Sequence, residues 1–99
     1  MMNDAPAHIG ILYVDLFIGE ARSLKGKRMV LRRLKDRIRN RFNVSIAELN
    51  GHDKWQVCTL GFTMIGNDHR YVNAALQSVV SFIESDHAVE ICGQNVEFC

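Results

Sequence analysis

The spacing of apolar residues changes period along this chain, and that change limits the fold more than any other property. From His8 the period is two: Leu12, Val14, Leu16 and Ile18 alternate with Ile11, Tyr13, Asp15 and Phe17. This predicts a strand with one fully apolar face, ended by Gly19. Ser23 then stands where a helix would be capped. Val30, Leu31, Leu34, Ile38 and Phe42 recur at helical spacing, so the helix should run to about Arg41 and bury that stripe. Residues 43–49, NVSIAEL, return to strand character, and Asn50-Gly51 supplies a hairpin turn signal. A third strand is expected from Trp55 to Ile65, with Cys58, Leu60, Phe62 and Met64 on one face. Gly66 breaks it, and Asn67 or Asp68 caps a second helix. Val72, Ala75, Leu76, Val79, Val80 and Ile83 give that helix the cleanest amphipathic pattern in the chain. Val89 and Ile91 open a last strand, whose apolar parity shifts after Gly93 to Val96 and Phe98. Such a shift is the mark of a β-bulge.

The resulting order is strand, helix, strand, strand, helix, strand. Two βαβ units of this kind close into an α+β, ferredoxin-like βαββαβ fold: one four-stranded antiparallel sheet, two helices on one face, the first and third strands central. Ninety-nine residues, 47% of them apolar, suit one domain with a core that needs no disulfide or metal. Residues 8–99 are expected to form it, with 1–7 as a disordered tail containing the single proline. No apolar run is long enough to span a membrane, and the N-terminus lacks a basic signal-peptide start. Cys58, Cys92 and Cys99 are odd in number and widely spaced, which points to reduced thiols and a cytoplasmic location. Cys58 is expected in the core, and Cys99 is expected to oxidise most readily.

Net charge is only +1, which would exclude a strongly basic polyanion binder if the charge were spread evenly. It is not spread evenly. Residues 21–42 hold ten of the twelve Lys and Arg residues against a single acid, Asp36, for a local charge of +9. The rest of the chain carries two bases and ten acids, a charge of −8. At 100° per residue, Lys25, Arg28, Arg32, Lys35 and Arg39 fall within a stripe of about 80° beside the apolar one. A face built for solubility mixes signs at i, i+4, and here only Asp36 interrupts the run. Arg22, Lys25, Lys27 and Arg28 also crowd a helix N-terminus, where the macrodipole disfavours cations. Such crowding is better tolerated beside a bound anion. The phosphate-binding residues expected from this pattern are Arg22, Lys25, Lys27, Arg28, Arg32 and Arg39, with RNA or the ribosome as partner.

The motifs Ser-Leu-Lys-x-Lys-Arg at 23–28, Arg-Phe-Asn-Val-Ser at 41–45, Ala-Glu at 47–48 and Asp-x-Trp-Gln at 53–56 occur together. In them the chain resembles the YlxP-like family of small bacterial proteins, from His8 almost to the C-terminus. The resemblance implies a ferredoxin-like fold, a bacterial cytoplasmic protein, and gene neighbourhoods shared with translation and ribosome-maturation factors. Gly26 and Thr59 depart from it, standing where the family often has acids.

Catalysis finds little support. Glu48, His52 and Asp53 match no standard metal-ligand spacing, so neither metal nor cofactor is expected. Asp53 is instead expected to accept backbone hydrogen bonds in the hairpin loop. No nucleophile–base pair is visible. Acylphosphatases share the topology and bind phosphate after the first strand, but residues 19–23 lack their signature, and topology alone carries little functional weight. The alternative to RNA binding is a homodimeric interaction module. The sheet face away from the helices would hold Tyr13, Phe17, Trp55 and Val57, an apolar surface suited to self-association and less suited to base stacking.

Overall fold

A computed structural model describes residues 5–52 and 54–99. The elements are β1 (His8–Phe17), α1 (Leu24–Arg41), β2 (Ser45–Asn50), β3 (Val57–Gly66), α2 (His69–Glu84) and β4 (Glu90–Phe98). They form one antiparallel sheet in the order β2-β3-β1-β4, so the first and third strands are central, as the ferredoxin-like topology requires. Of the expected tail, residues 1–4 lie outside the described residues, as does Asp53, while Ala5, Pro6 and Ala7 are exposed ahead of β1.

The period-two pattern becomes a face because opposite residues share it. Leu12 pairs with Phe62, Val14 with Leu60 and Leu16 with Cys58. All six are buried, and they meet Leu31, Leu34 and Ile38 of α1 and Val72, Leu76, Val79 and Ile83 of α2. Each buried Leu, Ile, Val or Phe contributes about 1.5–3 kcal/mol of transfer free energy, so this layer is the main source of stability. Gly10 sits on the same face. A Cβ there would stand 2.7 Å from Leu76 Cδ1 and 3.0 Å from Val72 Cγ1, so glycine lets α2 settle directly on β1.

Both helix starts follow the capping logic. The Ser23 hydroxyl accepts from the Gly26 N–H at 3.1 Å, and the Asp68 carboxylate accepts from the Arg70 N–H at 2.9 Å. The parity shift in the last strand is a register shift: Asp15 pairs with Gly93 but Leu16 with Ile91, leaving Cys92 as the extra residue of a bulge.

Two strand starts differ from expectation. β2 begins at Ser45, and β3 begins at Val57, so Trp55 and Gln56 precede it. The later start of β3 follows from the length of the hairpin connection. Gly51 adopts φ 86°, the Asn50 side chain accepts its N–H at 2.8 Å, and the Lys54 N–H returns to the Gly51 carbonyl at 3.1 Å. The Asn-Gly pair therefore begins a wider loop over 51–56 instead of closing a two-residue turn. Pairing nevertheless reaches back to Gln56, whose carbonyl accepts from the Ile18 N–H at 2.7 Å.

Candidate nucleic-acid interface

α1 buries Lys27, Leu31, Leu34 and Ile38, and this divides its cations into three groups. The first is an outer row. Lys25, Arg28, Arg32 and Arg39 are exposed and Lys35 is half-buried, all on the flank nearest β2, with Arg22 exposed just before the cap. From Lys25 to Arg39 the row extends about 21 Å at 1.5 Å per residue. Arg28, Arg32, Lys35 and Arg39 line a shallow cleft of about 210 Å³ that also holds Asp36 and Glu48. Arg39 lies 3.6 Å from Asp36. Among the described residues no acid lies within ion-pair distance of Arg22, Lys25, Arg28, Arg32 or Lys35.

The second group is a single residue, and it corrects an expectation. Lys27 does not belong with the phosphate-binding cations, because its side chain is only 2% exposed. Its ammonium donates to the Gly51 carbonyl and, at 2.6 Å, to the Lys54 carbonyl, with Glu48 Oε1 at 3.8 Å. A buried ammonium is tolerable only when its protons are accepted in this way. Lys27 is therefore a clamp between the first turns of α1 and the hairpin loop, and no phosphate reaches it. The helical period already contained the signal: Lys27, Leu31, Leu34 and Ile38 fall at i, i+4, i+7 and i+11, so the lysine lies on the buried stripe.

The third group faces α2. Arg33 and Arg37 lie 3.6 and 3.4 Å from Asp86, a buried acid just beyond the end of α2. Asp86 also accepts the Ala88 N–H at 2.9 Å. Arg37 and Arg41 hold their guanidinium carbons 5.1 and 5.4 Å from the centroid of Phe82. Sequence spacing alone did not single out Asp86 or Phe82, because their partners lie on the other helix.

The opposite side of the sheet is chemically different. Val57 is 40% exposed, Tyr13 and Phe17 are half-buried on the same face, and Ile9 and Ile65 are exposed there as a facing pair. Trp55 is 51% exposed, but it projects from the hairpin loop and not from the strand, so it is not part of the regular face. Leu49 lies across Gly61, bordering a shallow apolar groove of about 360 Å³. Glu97 and Asp15 occupy this side as well, and the Glu97 carboxylate raises the Tyr13 phenol above its usual range. Acids beside the aromatic residues make the face unfavourable for a polyanion.

Cys58 packs in the core, as expected, and burial pushes its thiol up to about 11, with the Glu48 charge adding to the shift. Cys92, in the bulge, is exposed together with Cys99, so the terminal cysteine is not the sole accessible thiol. No group of three or more His, Cys, Asp or Glu side chains among the described residues is disposed to hold a metal ion. No helix of the described residues is long and apolar enough to cross a membrane.

A family described as "Protein of unknown function (DUF503)" matches residues 9–96. The chain is 38% identical over 82 residues to the "Uncharacterized protein YlxP" of Bacillus subtilis (strain 168), covering 83% of this chain and 89% of that one. Among solved structures, the "De novo designed protein Foldit4" matches with a TM-score of 0.52 at 12% identity, covering 93% of this chain and 96% of the other. That likeness concerns the fold alone.

Proposed function

We propose that this chain, which belongs to the DUF503 family of proteins of unknown function, is a non-enzymatic bacterial cytoplasmic protein that binds RNA, as a free species or within the ribosome. The observation that carries this reading is the outer row of α1: Lys25, Arg28, Arg32, Lys35 and Arg39 on one flank, with Arg22 at its start, in a molecule whose residues outside 21–42 carry a charge of −8. A row of cations about 21 Å long follows a sugar–phosphate backbone better than it encloses a small molecule. The acidic remainder of the surface would turn the protein so that this helix meets the polyanion first. Such contacts are to phosphates, so the row supplies affinity and orientation more than sequence preference.

The test is affinity for a structured RNA measured across a salt series. Counterion release predicts a steep, linear fall of log affinity with log salt, and Arg28→Glu with Arg32→Glu should lower the slope by about two. Binding that is absent, or indifferent to salt, would sink the proposal.

A second reading, compatible with the first, is homodimerisation through the open sheet face. It is favoured by the exposure of Ile9, Val57 and Ile65 beside half-buried Tyr13 and Phe17. A two-fold axis would cover this face with its own copy and leave both basic helices outward. Sedimentation at micromolar concentration decides between monomer and dimer. A dimer that persisted unchanged in Val57→Asp, Ile65→Asp would have to use another surface.

A further inference from the structure

An open groove lies between the C-terminal half of α1 and the last turns of α2, outside the outer cationic row. It measures about 760 Å³ and is lined by Arg37, Arg41, Phe42 and Phe82, together with Gln77 and three serines of α2 and its cap. Its floor is aromatic: Phe42 and Phe82 meet edge to face with centroids 5.8 Å apart. Its cations are held in place, because the guanidinium groups of Arg37 and Arg41 both lie over Phe82. Attraction to the ring limits the freedom of both guanidinium groups; Arg37 Nη1 also donates to Asp86 Oδ2 at 3.4 Å, whereas Arg41 donates to no group among the described residues.

The charges here are unequal. Arg33 and Arg37 share the single carboxylate of Asp86, and Arg41 has no acidic partner among the described residues. Only Arg37 and Arg41 of these cations line the groove, and because Asp86 engages Arg37 from outside it, Arg41 is the one without an acidic partner among the described residues. The other wall presents hydroxyls. Ser78 and Ser85 donate to the Ala74 and Phe82 carbonyls, keeping oxygen lone pairs free, and Ser81 donates to no group among the described residues. Two guanidinium groups, a free hydroxyl donor and an aromatic floor in one concavity suit a particular ligand shape: an anionic head on a flat or apolar body.

We infer that this interhelical groove is a binding site for a phosphate monoester, with Arg37 and Arg41 holding the phosphate and Phe42 and Phe82 packing against the carbon body. A terminal monoester, with a charge of about −1.5 to −2 at neutral pH and three free oxygens, offers a pair of guanidinium groups more to bind than a phosphodiester does. The volume falls in the range of ordinary small-ligand sites. The inference does not rest on the reading of the outer row, which uses other residues. The same chemistry is found in a free nucleoside 5′-monophosphate and in the 5′-phosphorylated end of an RNA chain, and the experiment separates the two.

The full-length protein, labelled with nitrogen-15, is titrated with adenosine 5′-monophosphate, with adenosine, and with inorganic phosphate, following backbone amide shifts. The monophosphate should move amides within 37–42 and 77–85, phosphate should move a subset of them, and adenosine should leave them in place. Arg41→Gln, at an exposed position that spares the core, should weaken the monophosphate by about tenfold, the worth of one charged hydrogen-bonding partner. Arg28→Glu should leave this affinity unchanged. The same short oligoribonucleotide with a 5′-phosphate or a 5′-hydroxyl gives the last comparison. Tighter binding of the phosphorylated chain than of the mononucleotide identifies an RNA end as the ligand, and equal binding identifies the free nucleotide class. Equal response to adenosine and its monophosphate, indifference to Arg41→Gln, or shifts confined to the outer row would each overturn the assignment.

Discussion

Lys27 and Arg28 are neighbours in sequence and carry the same charge, yet they belong to different parts of the molecule. On the buried face of α1, Lys27 has its protons accepted by the carbonyls of Gly51 and Lys54, beside Glu48. On the exposed face, Arg28 belongs to a row whose members have little to bind within the chain. One side of the helix uses charge to hold the fold, and the other leaves charge available. Counting cations along the segment cannot separate these roles, whereas their angular position about the helix axis does.

The largest expected effect breaks the buried side. Lys27→Met keeps most of the side-chain volume but leaves two carbonyls and a carboxylate without their donor, and should cost about 3 kcal/mol in urea unfolding. RNA affinity of the folded fraction should change little. A variant as stable as the parent would show that the clamp is dispensable. The exposed side should behave in the reverse manner. Arg28→Glu with Arg32→Glu should leave stability within about 0.5 kcal/mol, as surface changes do, while weakening RNA binding by tenfold or more at low salt. If unfolding shifted as much as binding, the two sides would not be separable.

A smaller effect is expected where the two helices meet. Asp86→Ala removes the shared acceptor of Arg33 and Arg37 and the partner of the Ala88 N–H, and should cost about 1–2 kcal/mol in thermal or urea unfolding. The guanidinium groups are about half exposed, so the ion pairs themselves account for little of that loss. A further effect, confined to alkaline pH, concerns Cys58. Its thiol holds its proton more tightly folded than unfolded, about 11 against the ordinary 9.0. The unfolded chain therefore releases that proton first, and stability should fall as pH rises from 9 towards 11. At pH 8 a thiol reagent should label Cys92 and Cys99 in the native protein and spare Cys58. Rapid labelling of all three would contradict the burial.

Much of this was legible from spacing. Alternation at Leu12, Val14 and Leu16, the caps Ser23 and Asp68, and the parity break beside Gly93 are local patterns, and local geometry governs them. Misreadings arose where a residue type was read without its direction or its distant partner. Lys27 was grouped with its exposed neighbours although its own helical phase placed it among Leu31, Leu34 and Ile38. Alternation alone carries the third strand back to Trp55, whereas β3 begins at Val57, beyond the loop that Gly51 opens with its positive φ. The pairing of Arg37 with Asp86, and of Arg41 with Phe82, joins residues more than forty positions apart along the chain. No periodicity encodes such a contact, and only the packing of two helices on one sheet brings it about.

The lysine clamp has a spectroscopic consequence. Trp55 is the single tryptophan of the chain, half-exposed, and follows directly the residue whose carbonyl accepts from Lys27. Lys27 in turn precedes Arg28, where the outer row turns along the helix. An event that shifts the start of α1 should therefore reach the indole through one hydrogen bond, from Lys27 to the Lys54 carbonyl, and one peptide unit. The protein carries its own optical reporter, and the wavelength and quenching of its intrinsic emission register the state of the basic helix without any attached dye.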